Sequence, residues 1–487
     1  MTVQLARHWI NGEWVESQTI GESIDPATGN VIGRFADGGA AEADMSIQAA
    51  RTAFTNSRWR EDKNFRADVI EKLAACFERH TEELVAALCL ENGKIRGEAL
   101  FEITMLAPKL RYNGALARSH KGESGSARPG SVSMIVHEPV GVVGVIVPWN
   151  SPVVLMIRSV APALAAGNAV VVKMPAQTAI LNALVASIFA QVPELPTGIV
   201  NFFTESGGEG AKLLVSSPDV PVISYTGSTQ VGSVIAAEAG RHLKRCSLEL
   251  GGKTPHLIFA DADVDHMVPT LAASVTVFAG QFCMAGSRVL VHKDIADKVI
   301  DGIEQRFNDL RLGAAADSQS QMGPMIDKGN VARVDQVVEQ AIRDGAQVLV
   351  RGGPVTDGPL ANGAFYRPTL LKVSDPNLSI VQQETFGPVM TVQTFETEEQ
   401  GIALANDSQF GLAAAIWTRD MARAFRVAGR LEAGTVWLND WAQVHDEFEE
   451  GGYKKSGMGR LNGTSGIDDF LEIKHITFST SSGHAAH

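Results

Sequence analysis

The chain has 487 residues, which is too long for a single hydrophobic core and predicts two or three domains. Hydrophobic residues make up 45% of it and charged residues 20%, as in folded soluble enzymes and unlike disordered chains. The formal net charge of -13 argues against a general attraction to nucleic acid or to an anionic membrane, so we expect neither as a partner.

The cysteine pattern and the start of the chain bear on location. The four irregularly spaced cysteines suit neither a disulfide framework nor a CxxC metal site, so we expect no metal. Residues 1–18 do not resemble a signal peptide, and no apolar stretch reaches the roughly 18 residues of a membrane span. The sequence therefore predicts a cytoplasmic protein in a reducing compartment.

Helical periodicity dominates the first part of the chain, where Ala, Leu and Ile return at three and four positions. This pattern predicts three packed helices. They cover residues 40–57, 64–91 and 97–119.

From Val140 onward, short Val and Ile runs alternate with helical stretches. The predicted strands are Val142–Val147, Ala169–Lys173, Ile199–Phe203 and Val222–Tyr225. The predicted helices lie near 153–166, 178–191, 207–215 and 229–240. Strands buried on both faces, in βαβα order, predict a Rossmann-like, doubly wound parallel sheet whose ligands bind beyond the carboxyl ends of its strands.

A second series of elements follows Gly252 and predicts a second α/β domain. Its predicted helices lie near 263–279, 294–309, 328–344, 397–405 and 420–429. Its predicted strands lie near 287–292, 347–350, 369–373, 413–417 and 434–438.

Two strand-like segments, Ser131–His137 and Glu472–Ser479, fall outside both predicted sheets. Unpaired strands need partners, so we expect these to form a small β oligomerisation element. The predicted division is a dinucleotide-binding domain of residues 1–119 and 140–250, a catalytic domain of residues 251–467, and an oligomerisation element of residues 120–139 and 468–487.

Two glycine-rich turns carry the residues best suited to covalent chemistry. Cys283 offers a sulfur nucleophile, and Glu249 offers a carboxylate base. A thiolate attacks carbonyl carbon, and the thioester that results turns over only if a base activates water. The alternative is that Cys283 is a small buried hydrophobe and Glu249 an ordinary surface acid.

The ends of the predicted strands carry further polar groups. Asn150 is a neutral donor for a developing oxyanion, or else a common turn residue. Lys173 is a cation suited to ribose hydroxyls or phosphate, or else a solvated lysine. The segment Thr226–Gly232, with Gly227 and Ser228, joins a strand to a helix, so its backbone N–H groups can meet a pyrophosphate although it lacks the GxGxxG pattern.

Seven motifs occur in order along the chain: Pro148-Trp149-Asn150, the turn at Lys173, Tyr225-Thr226-Gly227-Ser228, Glu249-Leu250-Gly251-Gly252-Lys253, Gly280-Gln281-Phe282-Cys283, Glu384-Thr385-Phe386-Gly387-Pro388 and Lys455-Ser456-Gly457-Met458-Gly459-Arg460. Their order and spacing resemble those of the NAD(P)-dependent aldehyde dehydrogenases. The resemblance runs from about Trp9 to Phe478.

The resemblance implies a role for each matching residue. Cys283 would attack the aldehyde, Asn150 would hold the oxyanion, and Glu249 would activate water. Lys173 and Glu384 would hold the two riboses of NAD or NADP. The residues that the resemblance places around the cofactor are Trp149, Lys173, Ala176, Gly227, Ser228, Glu384 and Phe386.

The chain departs from the family pattern at two positions. Many NAD-preferring relatives carry Glu where this chain has Ala176, and loss of that carboxylate removes a barrier to the 2'-phosphate of NADP. Relatives also often carry a proton-relaying Glu where this chain has Leu461, so Glu249 needs another route to solvent. By the same resemblance, Arg460 and Glu472 are expected to form a structural ion pair near a subunit contact.

The substrate is less constrained by the sequence. Arg158 lies on the helix that lines the substrate tunnel in this family, and it would favour a semialdehyde with a distal carboxylate unless it is paired with a neighbouring acid. Trp441 would favour an aromatic aldehyde, and Phe282 and Met284 would give the site an apolar lining. The acidic residues near Trp441, from Asp446 to Glu450, would repel an anion and attract a cation.

The leading hypothesis is NAD(P)-dependent oxidation of an aldehyde to a free acid by a homodimer or homotetramer. A dehydrogenase that passes its thioester to coenzyme A is a second possibility, disfavoured because Glu249 would hydrolyse the intermediate. A catalytically silent dinucleotide-binding protein is a third possibility.

Overall fold

A large sheet of eight strands forms one half of the molecule in the computed structural model, which describes residues 5–479. In spatial order its strands are Gly457–Met458, Arg245–Glu249, Val222–Thr226, Val142–Ile146, Ala169–Pro175, Val200–Glu205, His8–Ile10 and Glu13–Val15. The five strands from Arg245–Glu249 to Val200–Glu205, both included, run parallel. Helices cover its two faces. They are Ala40–Asn56, Pro152–Ala166, Ala179–Ala190, Glu209–Ser216 and Thr229–Arg241.

The parallel strands form because they can be buried on both sides. All five residues of Val142–Ile146 are buried, and the following helix Pro152–Ala166 presents 13 buried residues. Proline at the first position of this helix fits its start, and Gly167 ends it in the left-handed region at φ 102°, where a side chain would be strained. This arrangement confirms the predicted Rossmann-like α/β fold.

The helical region before this sheet differs from the prediction. It contains five helices rather than three, which are Ala40–Asn56, Lys63–Arg79, Thr81–Asn92, Arg96–Thr104 and Leu106–Ser119. The chain breaks at His80 and at Met105, but the apolar period continues across both breaks because neighbouring helices bury their faces in the same core. Periodicity alone therefore merged each pair into one long helix.

The second large sheet has seven strands. In spatial order they are Gln347–Val350, Thr369–Lys372, Val389–Phe395, Arg288–His292, Pro255–Ile258, Ala413–Trp417 and Thr435–Leu438. All neighbours are parallel except the edge strand Gln347–Val350. Its helices are Val264–Thr276, Ala296–Asp309, Lys328–Arg343, Ser379–Gln382, Glu398–Asn406 and Met421–Ala428.

Six strands of the two large sheets were not predicted. His8–Ile10, Glu13–Val15 and Gly457–Met458 are only two or three residues long. Arg245–Glu249 begins with polar residues and Pro255–Ile258 is a short run opened by proline, so neither shows the apolar run of a central strand. Val389–Phe395 mixes apolar and polar residues although nearly all of it is buried.

The two predicted edge strands pair with each other. Leu471–Ser479 runs antiparallel to Ser131–Pro139, which also pairs with Ser124–Gly125. Arg460 and Glu472 do not form the expected ion pair within one chain. Glu472 instead accepts from Arg245 at 2.6 Å, and Arg460 donates to backbone carbonyls of its own turn.

Shorter elements complete the described chain. A three-stranded sheet is formed by Leu5–Ala6, Val31–Asp37 and Thr19–Ile24, and two small pairs by Gly353–Pro354 with Tyr366–Arg367 and Phe410–Gly411 with Tyr453–Lys454. The short 3₁₀ helices are Arg58–Arg60, Ala176–Thr178, Val277–Gly280, Lys293–Ile295, Gly358–Leu360 and Ser465–Phe470. Among residues 5–479, no helix has both the length and the apolar character needed to cross a bilayer.

We propose the predicted domain division with one change. Gly457–Met458, from the predicted catalytic segment 251–467, pairs with the strand Arg245–Glu249 and so extends the first sheet. The tail beyond residue 479 in the predicted oligomerisation element lies outside the described residues.

Candidate active site

Cys283 follows a sharp break in the chain. The helix Val264–Thr276 ends, and Phe278 and Ala279 then take left-handed backbone conformations at φ 53° and 52°. Each such residue costs about 1–3 kcal/mol, so the surrounding contacts must hold the turn. A Cβ on Gly280 would lie 2.3 Å from the carbonyl carbon of Gly387, which leaves room only for glycine. The break thus places Cys283 in a fixed position.

A buried carboxylate supports this turn from the other side. Glu98 accepts the backbone N–H of Phe278 at 2.8 Å and that of Ile95 at 3.2 Å. Burial raises the pKa of Glu98 to about 7. The helical region therefore contributes directly to the shape of the site, which the sequence did not indicate.

Asn150 lies beside the cysteine turn. It is 6% exposed, and its Nδ2 donates to the carbonyl oxygen of Gln281 at 3.0 Å. The Gln281 side chain accepts the backbone N–H of Ile326 at 2.9 Å, which fixes the turn against the loop before the helix Lys328–Arg343. A side-chain amide carries two N–H groups, so Asn150 can offer the second to an oxyanion on the Cys283 side.

Glu249 ends a strand of the first sheet, and its motif touches the cysteine turn. A Cβ on Gly252 would lie 2.4 Å from the carbonyl oxygen of Cys283, so the two backbones are in direct contact there. The backbone oxygen of Glu249 accepts the N–H of Gly227 at 3.0 Å, which joins the carboxylate turn to the predicted phosphate turn. The fold therefore brings the predicted nucleophile, base and cofactor turns together.

Burial dominates the ionisation of both groups. It raises the pKa of Cys283 to about 12 and that of Glu249 to about 8. The nearby Arg158 cation lowers both pKa values, whereas the Glu450 carboxylate raises both. Glu249 is thus able to change protonation near neutral pH, as a general base requires.

A cavity of about 500 Å³ leads to Cys283. Its walls include Asn150 and all four predicted substrate residues, which are Arg158, Phe282, Met284 and Trp441. Glu249 is not among the described residues that line it. The lining residues that the sequence analysis did not select include Phe101, Met105, Lys109, Leu155 and Phe278.

Aromatic rings form much of the cavity wall near the thiol. Phe282 packs edge-to-face against Phe278 and against Trp441, with ring centres 5.8 Å apart in each pair. The indole N–H of Trp441 donates to the Met284 carbonyl at 3.0 Å, which directs the ring. Phe101 and Met105 lie four residues apart, and this helical spacing was interpreted only as packing.

Arg158 is paired inside the protein. Its Nη1 donates to Oε1 of Glu450 at 3.0 Å, and its Nη2 donates to Oγ1 of Thr226 at 3.2 Å. Arg158 is 5% exposed and Glu450 is 7% exposed. The sequence left open whether Arg158 is free to bind a substrate carboxylate or is paired with a neighbouring acid. The structure shows the pair with an acid, Glu450.

The acidic segment after Trp441 also differs from its expected arrangement at the cavity mouth. Of the acidic residues from Asp446 to Glu450, Glu450 lines the cavity, and it is neutralised by Arg158. Asp446 pairs with Lys109, while Glu447 and Glu449 are exposed.

The predicted pyrophosphate turn has the geometry of a helix start. Ser228 caps the helix Thr229–Arg241 by accepting the N–H of Val231 at 3.3 Å. Lys173 lies near the carboxyl end of the strand Ala169–Pro175, and Ala176 follows that strand. Burial lowers the pKa of Lys173, although Glu205 and Asp37 oppose the shift.

The remaining cofactor candidates approach from the second domain. Glu384 accepts the N–H of Gly252 at 3.2 Å, and burial raises its pKa to about 7. Phe386 packs edge-to-face on Trp149 with ring centres 5.5 Å apart. A Cβ on Gly251 would lie 2.5 Å from Oε2 of Glu384, so a larger residue there would displace the Glu384 carboxylate. A helix start, the Lys173 cation and the Glu384 carboxylate fit a dinucleotide.

The fold and this site define an α/β dehydrogenase with a cysteine nucleophile. The profile of the aldehyde dehydrogenase family matches residues 14–476. The chain therefore belongs to the aldehyde dehydrogenase family, and the expected enzyme class, an NAD(P)-dependent aldehyde dehydrogenase, is confirmed.

Three relatives illustrate the match. The chain is 37% identical to a betaine aldehyde dehydrogenase of Bacillus subtilis over 476 residues, covering 97% of each chain. It is 35% identical to aldehyde dehydrogenase family 2 member C4 of Arabidopsis thaliana, covering 97% of this chain and 95% of that one. A betaine aldehyde dehydrogenase of Staphylococcus aureus, solved in complex with NAD+, superposes with a TM-score of 0.96 at 36% identity, covering 98% of this chain and 96% of that one.

Proposed function

We propose that the protein oxidises an uncharged aldehyde, preferably an aromatic one, to the free carboxylic acid with NAD or NADP. The observation that carries this proposal is the cavity that leads to Cys283. Its wall is aromatic, and the two cations that line it, Lys109 and Arg158, are paired with carboxylates. A large apolar cavity with few convergent polar groups is the usual form of a small-molecule site.

Cys283 forms the covalent bond to the substrate. Its sulfur attacks the aldehyde carbon, and the thiol proton passes to solvent as the oxyanion of a tetrahedral thiohemiacetal forms. Because burial raises the pKa of this partly buried thiol to about 12, the attack needs stabilisation of the anion that develops. Asn150 supplies an N–H donor at the wall beside Cys283.

A bound NAD or NADP would supply the hydride acceptor for the former aldehyde carbon, which would remain on Cys283 as a thioester. The residues that would hold the cofactor are Lys173, Gly227, Ser228, Glu384, Phe386 and Trp149. Ala176 presents no carboxylate to a 2'-phosphate, so both NAD and NADP remain candidates.

Glu249 completes the turnover. With a pKa of about 8, it can take a proton from water, whose oxygen then attacks the thioester and releases the acid and the Cys283 thiol. A buried base beside the thioester would hydrolyse it before transfer, which argues against coenzyme A as the acceptor.

The charges in the cavity support an uncharged substrate. Arg158 and Lys109 are neutralised by Glu450 and Asp446, so neither is free for a distal carboxylate. Glu98, whose two oxygens accept backbone N–H groups, has no cationic partner within salt-bridge distance among the described residues, and it disfavours an anion further.

A substrate panel tests this proposal. Benzaldehyde, hexanal, succinate semialdehyde and betaine aldehyde are each assayed as substrates with NAD and with NADP. Formation of the reduced cofactor is followed by its absorbance. We expect kcat/KM for benzaldehyde to exceed that for the semialdehyde by about 100-fold, since a buried carboxylate without a cation costs several kcal/mol. A semialdehyde preference would overturn the uncharged class, and a betaine aldehyde preference would assign Glu98 to a cation.

We propose a homodimer or homotetramer assembled through the small sheet. The strand that begins at Leu471 is an edge strand of the small sheet, and its residues Ile473 and Phe478 are 68% and 49% exposed. A reducing compartment, such as the cytoplasm, is also proposed because all four cysteines, which lie within the described residues, are free.

Charged residues on this edge are expected to break the assembly. The double variant Ile473→Asp and Phe478→Asp should give a smaller particle in size-exclusion chromatography with light scattering, because charges cannot be buried at such an edge without partners. Phe425→Asp, on the exposed helix Met421–Ala428, is the matched control and should leave the particle size unchanged. An unchanged size in the double variant would place the interface elsewhere.

A further inference from the structure

One buried ion pair lies within electrostatic reach of both catalytic groups. Arg158 and Glu450 are in contact at 3.0 Å, both line the cavity, and both act on Cys283 and Glu249. We propose that Arg158 is a positioning residue that holds the Glu249 carboxylate for hydrolysis, and that Glu450 sets how strongly it does so. This inference rests on the proposed function, and it assigns to the pair a part in the release of the acid.

Two unsatisfied atoms carry the argument. Nε of Arg158 and Oε1 of Glu249 are both buried, and neither has a hydrogen-bond partner among residues 5–479. An unpaired buried donor and an unpaired buried carboxylate oxygen each cost free energy, and the two are complementary in charge and in hydrogen bonding. A contact between them would satisfy both groups and fix the carboxylate.

The rest of the guanidinium is already anchored. Nη1 donates to Glu450, and Nη2 donates to Thr226, which pairs with Glu249 in adjacent strands. Arg158 is therefore fixed to the same sheet edge that carries Glu249. Nε is the position on the guanidinium that these contacts leave open.

Glu450 is in turn held by a chain of side chains that reaches the surface. Its Oε2 accepts from Nδ2 of Asn462 at 3.1 Å, and Oδ1 of Asn462 accepts from Nζ of Lys109 at 2.9 Å. Lys109 also pairs with Asp446, whose side chain is 19% exposed. These contacts keep Glu450 from following Arg158 if the guanidinium moves toward Glu249.

The charge around Glu249 comes from both domains. The groups that act on it are the Arg158 and Arg460 cations and the Glu450 and Asp469 carboxylates. Glu249 works as a base only when ionised, so hydrolysis rises with pH through its pKa. Removing the Glu450 charge leaves the Arg158 cation uncompensated, and this cation then stabilises ionised Glu249. The rise in hydrolysis therefore moves to lower pH. Removing Arg158 moves the rise in hydrolysis to higher pH.

Hydrolysis can be measured without a cofactor. p-Nitrophenyl acetate acylates Cys283 directly, and mass spectrometry then follows loss of the acetyl group from the protein at a series of pH values. For Glu450→Gln, whose amide can still accept from Arg158, we expect the midpoint of the pH profile to fall by about one unit. For the double variant Arg158→Met with Glu450→Gln, we expect it to return to the wild-type value or above it.

Glu447→Gln is the matched control. It removes the same charge from an exposed residue of the same segment and should leave the midpoint unchanged. An unchanged midpoint in Glu450→Gln, or an equal fall in Glu447→Gln, would overturn the inference. Wild-type protein that oxidises no aldehyde with either cofactor would refute the proposed function, while the pH profile of deacetylation would still decide the role of the pair.

Discussion

Replacement of Cys283 by alanine is expected to lower kcat/KM for every aldehyde by about ten-thousand-fold or more. Cys283 is the cysteine that lines the cavity, and loss of a covalent nucleophile removes the whole reaction sequence rather than one contact. Formation of reduced cofactor, measured at saturating aldehyde and in a single turnover, reports the loss. Binding of NAD or NADP, measured by calorimetry, should remain.

The matched control for this prediction is Cys89→Ala. Cys89 is a free, partly buried thiol on the helix Thr81–Asn92, and it does not line the cavity. Its replacement should leave kcat/KM unchanged. Oxidation of aldehydes by Cys283→Ala at more than a few per cent of the wild-type rate would show that a different residue carries the chemistry.

Replacement of Glu249 by glutamine is expected to separate the two half-reactions. The variant should release about one reduced cofactor per active site in a rapid burst, and steady turnover should then fall by about 100- to 10,000-fold because no base activates water. Stopped-flow absorbance measures the burst, and mass spectrometry identifies the acyl group on Cys283. Turnover restored by coenzyme A would instead favour the acylating enzyme.

The same variant has an expected effect on stability. Burial raises the pKa of Glu249 from 4.5 to about 8 in the folded protein. The unfolded chain therefore loses this proton at lower pH than the folded chain, so the native carboxyl destabilises the fold increasingly as pH rises from 4.5 to about 8. Thermal unfolding should show Glu249→Gln gaining stability over the wild type across that interval. A constant difference would mean that Glu249 is ionised when folded.

The sequence predicted the parts of the site that depend on strand ends. Asn150, Lys173 and Ser228 each follow or close a parallel strand that was predicted, and the carboxyl ends of such strands meet at one edge. Their proximity therefore follows from the fold class. Ordered motifs around Cys283 and Glu384 then identified the family.

The sequence could not predict contacts made between distant elements. Glu450 was interpreted as part of an acidic mouth, but it points inward because Arg158, 292 residues away, offers a buried partner. Glu98 and Phe101 were hidden in a helical repeat, since periodicity shows which residues face a core but not that a core face continues into a cavity. Such roles depend on the packed structure.

The strand Gly457–Met458 has a consequence for biosynthesis. It pairs with the strand that ends at Glu249, and Ser456 then accepts the N–H of Leu250 and donates to the carbonyl of Gly251 at 2.7 Å. The residues that hold the strand and turn of Glu249 are therefore made some 200 residues after it. A ribosome must synthesise the chain past Met458 before this part of the site can form, so shorter nascent chains are expected to be inert.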